Sequence, residues 1–117
     1  MPVSELKART KRFAVDIVRL ARELPNSLDG RTVGGQLIRS GTSVASNYRA
    51  SCRARSRAEF IAKMGVVEEE ADETSFWLEM AVACQLLPLD RAKTLLNEAD
   101  ELTAVMVASI KTAKRNR

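Results

Sequence analysis

The chain has 117 residues, 29% of them charged, with a formal net charge of +4. That length suits one domain able to bury its own core. It contains no histidine, which excludes His-based triads and the Glu-x-x-His pattern of di-iron bundles. Charge is distributed unevenly. Residues 1–57 are strongly basic, residues 58–104 strongly acidic, and residues 105–117 carry four positive charges and no negative one. Either the two halves attract each other within one fold, or the basic part faces a polyanion.

The composition favours helices, because Ala, Leu, Val, Arg, Lys and Glu dominate and aromatics are few. A first helix is expected over 4–24, capped by Ser4 and stopped by Pro25. Leu6, Thr10, Phe13, Ile17, Leu20 and Leu24 alternate at spacings of four and three, which is one buried stripe. Arg12 with Asp16, and Arg19 with Glu23, stand at i, i+4 and should partly neutralise each other.

After the turn 25–30, a second helix is expected over 31–54, its inward stripe Val33, Leu37, Ser40 or Gly41, Val44, Tyr48 and Cys52. It is rich in small residues, including Gly34, Gly35 and Gly41. Each helical glycine costs about 1 kcal/mol relative to alanine, so a neighbouring backbone should approach closely there. A later start near Gln36 is the alternative. Gly34-Gly35 lacks the Lys-Ser/Thr of a phosphate loop.

Ser56-Arg57-Ala58-Glu59 is a capping box, so a third helix should run over 57–87. Phe60, Met64, Val67, Ala71, Thr74, Leu78 and Ala81 keep a heptad seam along it. A fourth helix is expected over 91–114, capped by Asp90 and ending in cations that suit a helix C-terminus. The fold class is therefore all-α, an antiparallel up-down-up-down four-helix bundle filling 1–117 as one domain.

A hairpin of helices two and three turning near Arg55-Ser56 sets Gly41 beside Ala71 and places Gly65 where it makes room for Tyr48. Arg39, in a polar stripe with Ser43 and Asn47, then sits near Asp72 and Glu73, while Asn47 sits near Met64 and Gly65. An internal network that holds the register accounts for it; a ligand site is the alternative. Cys52 and Cys84 should lie tens of ångströms apart along the helices, too far for a disulfide. They also lack metal-ligand spacing. The carboxylates at 68–73 point in successive directions around a helix and do not converge. No catalytic, metal or cofactor set emerges. No membrane span and no secretory signal are visible, so a cytoplasmic protein with reduced thiols is expected.

Two surfaces stand out. Arg49, Arg53, Arg55 and Arg57 around the hairpin, with Lys111, Lys114, Arg115 and Arg117, are uncompensated and would suit a phosphate backbone; ordinary solvated charge is the other reading. Arg49, Arg53 and Arg57 share a face if the second helix persists that far. Trp77, Met80, Cys84 and Leu87, with Leu95 and Val105, exceed what one bundle needs to bury. They predict an interface, with Trp77 near its centre.

The segments 36–50 (QLIRSGTSVASNYRA), 56–64 (SRAEFIAKM) and 69–79 (EEADETSFWLE) resemble a bacterial four-helix-bundle family. It includes proteins encoded within intervening sequences of 23S ribosomal RNA genes and the accessory variability protein of diversity-generating retroelements. The resemblance implies an up-down bundle forming a ring-like homopentamer, and nucleic-acid binding through a basic surface in some members. It brings no catalytic residues. The partners expected are therefore further copies of the chain, RNA or DNA, or another protein.

Overall fold

The computed structural model describes residues 1–116. Four helices follow in order: α1 (Val3–Ala21), α2 (Leu28–Ser51), α3 (Arg57–Ala83) and α4 (Leu89–Arg115). No strand occurs among the described residues. The fold is the expected all-α four-helix bundle, about 49 Å long and 20 Å across. Sequential helices pack tightly, α1 touches α4 only lightly, and α1 and α3 stand diagonally apart.

The ends differ from the sequence expectation for local reasons. Ser4 lies inside α1, which starts after Pro2, and the helix stops at Ala21 rather than at residue 24. Its end tightens, Glu23 N–H donating to Leu20 and Leu24 N–H to Ala21. Helix α2 starts early because the Ser27 hydroxyl accepts from Gly30 N–H at 3.1 Å. Gly30 is required there: a Cβ would lie 1.9 Å from the Pro25 carbonyl oxygen. The capping box forms. Ser56 Oγ accepts from Glu59 N–H, and the Glu59 carboxylate accepts from Arg55 N–H, both at 3.1 Å. Asp90 sits in the first turn of α4, whose cap is Pro88.

Helix α3 stops four residues short of Leu87. Gln85 adopts φ 61°, with Gln85 N–H bonded to Val82 and Leu86 N–H to Ala81. This is a Schellman ending with glutamine in the left-handed position glycine prefers. It turns Leu87 into the core, where it is 6% exposed, so Leu87 belongs to the bundle rather than to an outer surface.

The core is one cluster running from Leu6, Phe13 and Ile17 through Leu37 and Val44 to Leu78, Leu102 and Met106. Within it the small face of α2 meets both neighbours. A Cβ on Gly41 would lie 2.7 Å from Ile17 Cγ2, so the tight contact is with α1 and not with Ala71. On the other side, Thr74 Oγ1 and Ser40 Oγ are 2.9 Å apart, and both side chains are fully buried. Each hydroxyl also reaches the carbonyl one turn back, Gln36 for Ser40 and Glu70 for Thr74, so neither is orphaned. Gly35 and Gly65 face open space, so Gly65 makes no room for Tyr48. Burial holds the Tyr48 phenol well above its ordinary pKa. Both cysteines are free thiols.

Arg39 supplies the expected link to α3 and binds Glu73 as expected, but its second partner is Glu70, at 3.0 Å, in place of Asp72. Asp72 is exposed and unpaired, and Asn47 donates within its own helix to the Ser43 carbonyl. Arg9 binds Glu98 across the α1–α4 seam at 2.6 Å, and this hydrogen bond raises the guanidinium pKa. Arg91 binds Glu23 there too and holds that carboxyl below the ordinary range. Neither expected i, i+4 pair on α1 forms.

The glycines separate by environment. Gly41→Ala should destabilise the protein by about 1–3 kcal/mol, since Ile17 is buried and cannot yield freely. Gly35→Ala should stabilise it by up to about 1 kcal/mol. Denaturant midpoints that moved alike in both would contradict this account. Gln85→Gly should add about 1 kcal/mol by relieving the left-handed backbone, read as a rise in melting temperature.

Candidate functional site

The antiparallel order brings the start of α1, the α2–α3 turn and the end of α4 to one pole. Met1, Phe60, Ala113 and Asn116 line a common groove there, which places the chain termini beside the turn. Every cation named for nucleic-acid binding and present among the described residues lies at this pole.

These cations divide between two grooves. Arg49, Arg53 and Arg55 line one of about 430 Å³, with Lys63 and a single carboxylate, Glu59. Helix α2 ends at Ser51, so Arg53 is carried by the turn rather than by a continuing helical face. Arg57 lies on the other side of the α3 N-terminus, in a second groove with Lys114, Ala58 and Ile61. Lys111 and Arg115 are exposed on the last turns of α4. Among the described residues, none of Arg49, Arg53, Arg55, Arg57, Lys111, Lys114 and Arg115 has a carboxylate within 4 Å. Lys63 lies 3.9 Å from Glu59. Arg117 falls outside the described residues.

Lys63 was not singled out from the sequence. Its signal was there: it stands four residues after the capping-box glutamate, on the side of α3 that faces the turn. The groove is polar and open. No group of three or more metal-ligating side chains occurs among the described residues. What the pole can do is hold anionic groups by charge and by guanidinium hydrogen bonds.

The apolar residues named for an interface are spread more widely. Trp77, Leu95 and Val105 are half-buried against the core, Met80 is half-buried and Cys84 is exposed. Trp77 donates its indole N–H to Glu73 at 3.2 Å. Phe76, which the sequence reading passed over, is 48% exposed and packs edge-on against Trp77 with ring centres 5.0 Å apart. Apolar residues therefore surround α3: Met64, Val67 and Leu78 face inward, while Val66 and Phe76 face outward.

No helix among the described residues is long and apolar enough to cross a membrane. A crystal structure from Bacteroides thetaiotaomicron, of a protein of unknown function from the S23 ribosomal protein family, matches this fold with a TM-score of 0.84. It is 33% identical, over 90% of this chain and 97% of its own. No curated protein matches. The profile of the 23S rRNA-intervening sequence proteins matches residues 4–108, nearly the full length of the bundle. With the fold and the sequence agreeing over that span, this chain belongs to the 23S rRNA-intervening sequence protein family.

Proposed function

We propose that this protein is a non-enzymatic, homo-oligomeric accessory protein that binds nucleic acid, structured RNA above all, through its cationic pole. One observation carries this reading. Arg49, Arg53, Arg55 and Lys63 share a groove with a single carboxylate, and Arg57 and Lys114 share the adjacent groove. Such a set neutralises successive phosphates without reading bases. The pole has little for single-strand stacking, since Tyr48 is buried and Phe60 half-buried. That favours a folded or double-stranded partner, recognised by its backbone and shape.

Self-association is supported by Val66 and Phe76, large apolar residues left exposed on the outward side of α3. A ring of five copies is the form of assembly we infer from the family resemblance. An oligomeric protein-interaction scaffold is the second reading. Phe76 and Trp77 beside Arg39 favour it, since aromatics and arginine are typical of protein interfaces.

Binding to total cellular RNA should fall about a thousandfold between 50 and 200 mM salt. Replacing Arg49, Arg53 and Arg55 together by Ala should flatten the log–log salt slope by about 3. Gel shifts indifferent to both changes would remove the nucleic-acid reading and leave the scaffold. Trp77 reports on assembly, being the single tryptophan. Its emission should shift to shorter wavelength as concentration raises the mass seen by light scattering. A mass that rose while the emission stayed constant would place the contact away from Trp77.

A further inference from the structure

The opposite corners of the bundle carry unpaired charge of opposite sign. The outward ridge of α1 presents Lys11, Arg12, Arg19 and Arg22 around Ala8 and Val15, all exposed; Arg12 and Arg19 also border the α1–α4 grooves that hold Asp16, Glu98 and Glu101, and Glu23 and Asp90. The outward ridge of α3 presents Glu69, Asp72 and Glu79 around Phe76, also exposed. No Lys or Arg occurs between Lys63 and Arg91. None of these seven charged side chains has an opposite charge within 4 Å among the described residues, although Arg9, Glu23, Glu70 and Glu73 close by all do. The ion pairs between helices thus lie along the seams, and none lies along the two ridges.

The heights of these ridges agree as well. Ile17 of α1 packs on Gly41, and Ser40, beside Gly41, bonds Thr74 of α3. Residues 17 and 74 therefore stand level. Both helices start at the cationic pole and run the same way with the same rise per residue. Counting out from that level, Arg12 stands level with Glu69, Val15 with Asp72, Arg19 with Phe76 and Arg22 with Glu79, within about one helical turn, ~5 Å.

We infer that the α3 ridge docks onto the α1 ridge of a second copy of this chain, the two standing side by side in the same orientation. This inference rests on the self-association proposed above and specifies its partner surface. No sliding is needed, because the acidic and basic stripes already match in height. Phe76 comes within about one helical turn of Val15 at the centre, Ala8 faces the Val66 end of the α3 ridge, and Arg19 comes level with the exposed Phe76 ring, which its guanidinium can cover. The contact is heterologous, different faces of the two copies meeting, so it repeats from copy to copy and closes if the rotation per step allows. Pairing of two α3 ridges would set Glu69, Asp72 and Glu79 against one another and is disfavoured by like charge.

The test is a charge exchange. One variant carries Arg12→Glu, Arg19→Glu and Arg22→Glu; the other carries Glu69→Lys, Asp72→Lys and Glu79→Lys. All six side chains are exposed and unpaired, so both variants should keep wild-type helicity and melting behaviour, checked by circular dichroism. Each alone should sediment as a monomer where wild type assembles, its self-affinity weakened about a hundredfold or more. An equal mixture should recover assembly, because each variant's reversed ridge then meets a complementary ridge. An α1 variant that assembles like wild type, or a mixture that stays monomeric, overturns the docking while leaving self-association standing. Wild type that remains monomeric at high micromolar concentration overturns self-association itself.

Discussion

Near the middle of α2, two adjacent residues hold three helices together. Gly41 lets Ile17 of α1 press against the helix, and Ser40 bonds Thr74 of α3 from the neighbouring position. Neither contact tolerates sliding. Gly41 offers a recess one side chain wide, and sliding would forfeit the hydrogen bond between the two buried hydroxyls, worth about 1 kcal/mol, each then keeping only the carbonyl of its own helix. The heights of α1 and α3 are thereby tied through α2, although those two helices do not touch. Helix α4 follows from its packing on α3 and from two arginine–glutamate pairs across the open seam with α1.

That alignment decides where charge accumulates. With the helices level, the α2–α3 turn, the start of α1 and the end of α4 share one pole, and the cations of three chain segments become one surface. The acidic half of the sequence divides its charge. Glu98 takes up Arg9 of α1, and Glu70 and Glu73 take up Arg39 of α2. The Arg39 pairs, partly open to solvent, contribute little, about 0–1 kcal/mol each, so they orient that seam more than they stabilise the fold. The first reading of the charge asymmetry is realised in part, since some opposite charges pair within the chain, while the arginines of the pole keep no carboxylate partner among the described residues.

The sequence made the helices legible because their signals are local. The capping box at Ser56 and the seam from Met64 to Ala81 locate α3 without reference to any other helix. Its end was misread because the stop is a backbone conformation at Gln85, and glutamine gives no hint of a left-handed φ. The start of α2 was read late for a related reason. Gly30 looks like a turn residue, yet it occupies the first helical turn, where its missing side chain clears the Pro25 carbonyl.

The cationic site was legible as a list of residues but not as an arrangement. Arg49, Arg53 and Arg57 share one helical face only if α2 persists that far; the chain turns after Ser51 and sends Arg57 to a different groove, while Lys63 joins the first. Leu87 passed from surface to core for a similar reason, through the turn that precedes it. By itself the sequence determined the four amphipathic helices, the basic and acidic blocks and the family, since these depend on spacing and residue type along one segment. Tertiary structure alone decided which partner Gly41 meets, which glutamates take Arg39, and which cations share a groove. Those outcomes depend on the relative height and rotation of separate helices, and these were set only when Gly41, Ile17, Ser40 and Thr74 packed together.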